Sequence, residues 1–203
     1  MEEKIRRLVR KLYFNKIILF GEFRLTSGLI SPYYIDLRSI YSYPDIFKEI
    51  IEYYVHEISS FKDDVDVIAG LESGGIAIAA TLGYILNKPM IYIRKKPKEI
   101  GMMRLIEGVL SEGDKVVIVD DVATTGGTIA RGVKAIRDVG GSIDKAVVFI
   151  DRLQGAKEKL SKLGVKLYSI LDIKSVLNML YQEKLISSEL HDKILSYIGE
   201  KYV

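Results

Sequence analysis

The chain has 203 residues, 48% hydrophobic and 28% charged, which suits one globular domain with a sizeable core. Thirty basic against 27 acidic side chains leave a net charge of only +3, too slight a bias to argue for nucleic acid as a partner. There is no cysteine, so disulfides and thiolate metal sites are excluded and a reducing cytoplasm is the expected compartment. His56 and His191 stand too far apart in sequence to suggest a zinc site or a histidine-based nucleophile. The longest apolar stretch, Ile76 to Leu86, is interrupted by Thr81 and Gly83 and is too short for a membrane span. The N-terminus, with Glu2-Glu3-Lys4 and Arg6-Arg7, lacks the layout of a signal peptide.

Ile5, Leu8, Val9 and Leu12 recur at helical spacing and predict an amphipathic first helix, with Arg6, Arg7, Arg10 and Lys11 on a solvated face. Residues 20–38 alternate around a Ser27-Gly28 break and read as a hairpin-like piece outside the main sheet. A second amphipathic helix is expected over 45–58. A short strand, Val65 to Ala69, then runs into Gly70-Leu71-Glu72-Ser73-Gly74-Gly75, which on its residues alone is either a helix-entry turn or an anion-binding loop. After a helix over 76–86, the strand Met90 to Ile93 ends in four cations within five residues, Arg94, Lys95, Lys96 and Lys98, with Pro97 and Gly101 marking a mobile loop.

Val116 to Val119 form an apolar, mostly β-branched run that predicts a strand buried on both faces. Asp120 and Asp121 follow it, then Ala123-Thr124-Thr125-Gly126-Gly127-Thr128, then a helix marked by Ile129, Val133, Ile136 and Val139 and closed by Gly140-Gly141. Such a loop suits a phosphate: glycines admit the anion to the backbone, and amides and threonine hydroxyls donate at a helix N-terminus. The paired acids suit ribose hydroxyls, or Mg²⁺ held through water. Neither the P-loop nor the dinucleotide-binding glycine pattern is present. Strands over 146–150 and 166–170 follow, the first ending in Asp151-Arg152, and helices over about 172–182 and 188–198 end the pattern.

The alternation predicts an α/β fold, a doubly wound, mostly parallel sheet with helices on both faces. Four strands would release the 70–75 loop, the 94–98 cations, the 120–121 acids and Asp151-Arg152 at their carboxyl ends. In an open sheet of this kind those ends share one rim, and ligands bind there.

The segment 116–128 resembles the phosphoribosyl pyrophosphate (PRPP) motif of type I phosphoribosyltransferases. The pattern F-x-L-x-S-G-x-x-S-P-Y at 23–33, R-K-x-x-K-x-x-G at 94–101 and Asp151-Arg152 extend the resemblance to the orotate phosphoribosyltransferase family over nearly the whole chain. The resemblance implies one phosphoribosyltransferase domain, 1–203, with 1–45 as N-terminal helix and hood and 60–170 as the α/β core. It implies transfer of the phosphoribosyl group from PRPP to orotate, giving orotidine 5′-phosphate and pyrophosphate in pyrimidine (UMP) biosynthesis. By the same resemblance Arg94, Lys95, Lys98, Asp120 and Asp121 are catalytic. PRPP is bound by those five together with Glu72, Ser73, Gly74 and Val122 to Thr128. Orotate meets Thr124, Arg152, Thr26 and Tyr34. No protein metal ligand is implied; the cofactor Mg²⁺ is held through PRPP and water. A homodimer sharing its catalytic loops between subunits is implied too. The chain has Thr26 where the family usually has lysine, Gly74 where some bacterial members carry lysine, and Ile100 where many members have histidine. A phosphoribosyltransferase for another base and a non-catalytic PRPP-sensing regulator are the alternatives.

Overall fold

The computed structural model describes residues 2–24, 30–96 and 105–202. They form two compact units, residues 1–49 with 171–203, and residues 50–170.

In the first unit, helix α1 (Glu2–Phe14) buries Leu8, Val9 and Leu12, the stripe its spacing predicts. Strands β1 (Ile18–Arg24) and β2 (Ile30–Ile35) pair antiparallel in a two-stranded sheet of their own. The long helix α2 (Pro44–Ser59) then carries the chain into the second unit.

The second unit is built on strands β3 (Val67–Leu71), β4 (Met90–Ile93), β5 (Ile106–Glu107), β6 (Lys115–Ala123), β7 (Ser142–Asp151) and β8 (Lys166–Asp172), in the spatial order β5-β4-β3-β6-β7-β8. The β3–β4, β3–β6 and β6–β7 pairs are parallel, and the two-residue β5 runs antiparallel to β4. Successive residues of a strand point to opposite faces. Val67, Ala69, Leu71, Ile118, Ala146 and Val148 accordingly pack with Ile129, Val133 and Ile136 of helix α4 (Gly127–Asp138) and with Leu160 of the short helix α5 (Ala156–Ser161). The alternate set, Ile68, Val117, Val119, Val147 and Phe149, is buried as well. Helix α3 (Gly74–Leu86) takes that other face, since a methyl group on Gly70 would meet the Ala79 side chain. Burial on both faces explains why β6 and β7 read as continuous apolar runs.

Several expected bounds shift, the first strand of this sheet spanning Val67–Leu71 and not 65–69. The β6 strand does not stop at Val119: its ladder with β7 continues through Asp120↔Val148 and Val122↔Ile150 to Ala123↔Asp151. The acidic pair therefore lies on the strand instead of after it, held by backbone pairing that side-chain character cannot reveal. Strand β7 likewise begins at Ser142 and not at 146.

Helices α6 (Ile173–Gln182) and α7 (Ser188–Tyr202) return to the first unit. Asp172 caps α6 by accepting from the Ser175 amide at 2.9 Å. The Tyr13 hydroxyl donates to the Leu185 carbonyl at 3.2 Å.

Candidate active site

Because β3, β4, β6 and β7 run parallel, their carboxyl ends fall on one rim, as a doubly wound sheet requires. At the end of β3, the Glu72 amide donates to the Ile93 carbonyl at 2.9 Å, and the Lys95 amide donates to Glu72 Oε2 at 2.7 Å. The glycine loop is thus tied to the start of the cationic run. The Glu72–Ser73 peptide is cis. Arg94 closes the base of the same excursion: its amide donates to the Leu105 carbonyl at 2.8 Å, and its guanidinium lies 3.6 Å from Glu107. Lys98 and Thr26 lie outside the described residues, as do Pro97 and Ile100.

Gly74 opens α3 directly against the acidic strand. A Cβ on it would come 2.5 Å from the Asp121 carboxyl carbon, and one on Gly75 would collide with the Val119 carbonyl oxygen. The two glycines therefore let the loop and the acids approach at backbone distance, and there is no room for a side chain at either position.

Asp120 is buried, and the removal of its carboxyl from water, reinforced by the neighbouring Asp121 charge, pushes its pKa well above the usual carboxylate range. The carbonyl of Asp120 accepts from the Tyr54 hydroxyl at 2.6 Å, and the Asp121 carboxylate accepts from the Val122 amide at 2.8 Å.

Gly126 turns the chain from β6 into α4 with φ 72°, a left-handed conformation that glycine adopts without a steric penalty. Behind it a Cβ would lie 3.1 Å from the Ala156 Cα, so the loop rests on the first residue of α5. A cavity of about 250 Å³ opens here, walled by Asp120, Val122 to Thr128, Ile129 and Arg131. It has neutral donors, small side chains and the start of a twelve-residue helix, the composition of a phosphate cradle.

Arg152 is buried, with only 7% of its surface exposed, and its amide donates to the Ala123 carbonyl at 2.9 Å. Asp151 accepts from the Leu153 amide at 2.9 Å and lies 3.7 Å from the Lys157 ammonium. Tyr34 is on β2 in the first unit, its ring 5.6 Å from that of Phe23 and its hydroxyl 3.4 Å from Arg38. The rim thus brings together Glu72, Ser73, Gly74, Arg94, Lys95, Asp120 to Thr128 and Arg152, while Tyr34 belongs to the other unit.

Three residues escape the sequence reading. Tyr54 occupies one position of an amphipathic stripe like any core aromatic. Arg131 follows Thr128 at i+3, a spacing that places it on the cradle's side of the helix. Gln154 is buried, and its amide nitrogen has no hydrogen-bond partner among the described residues.

Among the described residues no three histidine, aspartate or glutamate side chains gather as a metal-ligand set. Two adjacent carboxylates, one of them held towards its protonated form, suit contact with a metal ion's water shell better than direct ligation.

A phosphate cradle and an acidic pair at the rim of a mostly parallel α/β sheet define a phosphoribosyltransferase. The chain belongs to the phosphoribosyl transferase domain family, whose model matches residues 36–176. Its relatives carry a narrower name. The orotate phosphoribosyltransferase of Staphylothermus marinus is 43% identical over 200 residues, 98% of this chain and 97% of that protein. The crystal structure of orotate phosphoribosyltransferase from Aeropyrum pernix is similar with a TM-score of 0.77 at 32% identity, covering 89% of this chain and 99% of that one. The structure of Leishmania donovani UMP synthase matches with a TM-score of 0.84 at 32% identity; 96% of this chain is covered, and it spans 42% of that longer chain.

Proposed function

We propose that this protein is an enzyme that transfers the 5-phosphoribosyl group of PRPP to orotate, forming orotidine 5′-phosphate and pyrophosphate. One observation carries the reading beyond the family: the buried Arg152 is joined by its backbone to Ala123, the first residue of the phosphate loop. A guanidinium forks onto carboxylates with paired donors. Orotate has a carboxylate and purine bases have none.

In the proposed reaction the C1–O bond of PRPP breaks, with its electron pair leaving on pyrophosphate. N1 of orotate closes on C1 from the opposite face, and its proton passes to the departing pyrophosphate. No protein nucleophile takes part, so positioning and electrostatics supply the acceleration. Asp120 and Asp121 orient the ribose hydroxyls, and Thr124 to Thr128 grip the 5′-phosphate. Glu72, Ser73 and Gly74 border the pyrophosphate, and Arg94, Lys95 and Lys98 offset the charge growing on it. Thr124 and Arg152 meet orotate, and the family resemblance adds Thr26 and Tyr34 to the orotate-binding set. Mg²⁺, when bound, would neutralise pyrophosphate oxygens and steady the diol, with the two aspartates meeting its waters. We further assign the whole chain to one working domain in a cytoplasmic homodimer that shares its cationic loops. The residue roles, the metal, the dimer and the compartment rest on the family resemblance and on the chemistry of the rim.

The test is a spectrophotometric assay with Mg²⁺, PRPP and orotate, repeated with adenine, guanine and hypoxanthine. Loss of orotate absorbance is expected, with no turnover of the purines. Turnover of a purine alone, or PRPP binding without turnover of any base, would overturn the reading.

A further inference from the structure

We propose that Arg131 is a binding residue for the 5′-phosphate of the phosphoribosyl donor, an inference that rests on the transferase reading of the same site. Apart from Arg131, the cavity beside Gly126 offers an anion only neutral groups and the Asp120 carboxyl, none of which brings a positive charge. Arg131 is the one cation among the described residues that line it. The side chain is exposed, and its Nη2 donates to Thr128 Oγ1 at 3.4 Å. That bond lies at the long, weak end of the range. No carboxylate among the described residues pairs with the guanidinium, so it remains available to an incoming anion.

Thr128 and Arg131 share one face of α4, three residues apart. A phosphate seated on the Thr124–Thr128 loop would accept from the Thr128 hydroxyl, which places it beside the guanidinium as well. Planar paired donors suit two phosphate oxygens at once. A phosphate monoester carries close to two negative charges at neutral pH, whereas helix N-terminal amides supply only about half a positive charge. Arg131 supplies a full charge where the loop has none.

Ribose 5-phosphate and pyrophosphate, each used as an inhibitor competitive with PRPP, separate the two ends of the donor. For Arg131→Gln, the KM for PRPP and the inhibition constant of ribose 5-phosphate should rise together by about tenfold, ~1.4 kcal/mol. The pyrophosphate inhibition constant, the orotate KM and kcat at saturation should stay within about twofold. Arg131→Lys should recover part of the loss, because the charge survives and the fork does not. An unchanged ribose 5-phosphate constant, or an equal rise for pyrophosphate, would overturn the proposal. If the wild-type protein fails to turn over orotate, the transferase reading falls instead, and calorimetric titration of ribose 5-phosphate into wild type and Arg131→Gln still decides the role of Arg131: equal affinities reject it.

Discussion

The Tyr54 hydroxyl donates to the backbone carbonyl oxygen of Asp120 at 2.6 Å, inside the core. A helix that contributes no group to the rim thereby fixes the position of the strand that carries the acidic pair. Removing the hydroxyl leaves a buried carbonyl without that donor. Tyr54→Phe is therefore expected to cost about 1–3 kcal/mol of stability. Urea unfolding measures that cost, and kcat should fall with it, since Asp120 loses its fixed height on the strand.

Asp120 predicts a pH signature. Its carboxyl titrates well above its ordinary value of 3.8, for which burial is the first cause and Asp121 the second. The folded state then holds a proton that the unfolded chain releases, so stability falls as pH rises from about 4 towards the raised value. Asp120→Asn cannot ionise and escapes this loss. Its melting temperature should therefore gain on that of wild type as the pH rises from about 4, which thermal melts across that range measure. A difference that does not vary with pH would refute the assignment. Turnover should drop severely at every pH.

Gly74→Ala tests the close approach of the glycine loop to the acids. The new methyl would press on the Asp121 carboxylate, the end of a short side chain that can turn away. The cost should therefore appear in substrate binding more than in folding. A rise in PRPP KM of roughly tenfold, ~1.4 kcal/mol, is expected with little change in melting temperature. Steady-state kinetics and a thermal melt on the same preparation check both halves.

Glu72 links two parts of the rim through the Lys95 amide. Glu72→Gln keeps an oxygen acceptor but removes its charge, and charged acceptors give about twice the strength of neutral ones. A moderate loss of kcat, about three- to tenfold or ~0.7–1.4 kcal/mol, is expected with an unchanged orotate KM. Pre-steady-state turnover would locate the loss in the chemical step.

Gln154→Met replaces a buried amide whose nitrogen has no partner among the described residues with a side chain of similar length. Leaving a buried donor unpaired costs about 1–3 kcal/mol, so the variant should be more stable by about 1 kcal/mol in urea unfolding.

What the sequence makes legible follows from where its signals are strongest. Val116 to Val119 and Ala146 to Ile150 are too apolar for anything but a buried strand, and the motif after Asp121 has the residue types a phosphate needs. Side-chain character is silent about backbone pairing, however. Asp120 and Asp121 look like a strand terminator, yet β6 carries them because β7 continues beside it to Asp151. The two-residue β5 is too short for any periodicity, and it exists because Tyr92 and Ile93 offer it a partner. Helix α5, six residues long, falls below the length at which a helical pattern stands out. Arg131 and Tyr54 are hidden for a different reason: each occupies an ordinary place in a helical stripe, and only the fold shows which neighbour that stripe faces.

The register between β6 and β7 has a thermodynamic consequence. Ala123 faces Asp151 across the ladder, and the next amide, that of Arg152, bonds back to Ala123. The loop proposed for the phosphate and the arginine proposed for orotate hang from adjacent rungs of one hydrogen-bonded frame. If both proposed roles hold, a ligand that stiffens this frame lowers the ordering entropy left for the other. Linkage makes the resulting cooperativity reciprocal: whatever factor the first molecule lends the second, the second returns unchanged.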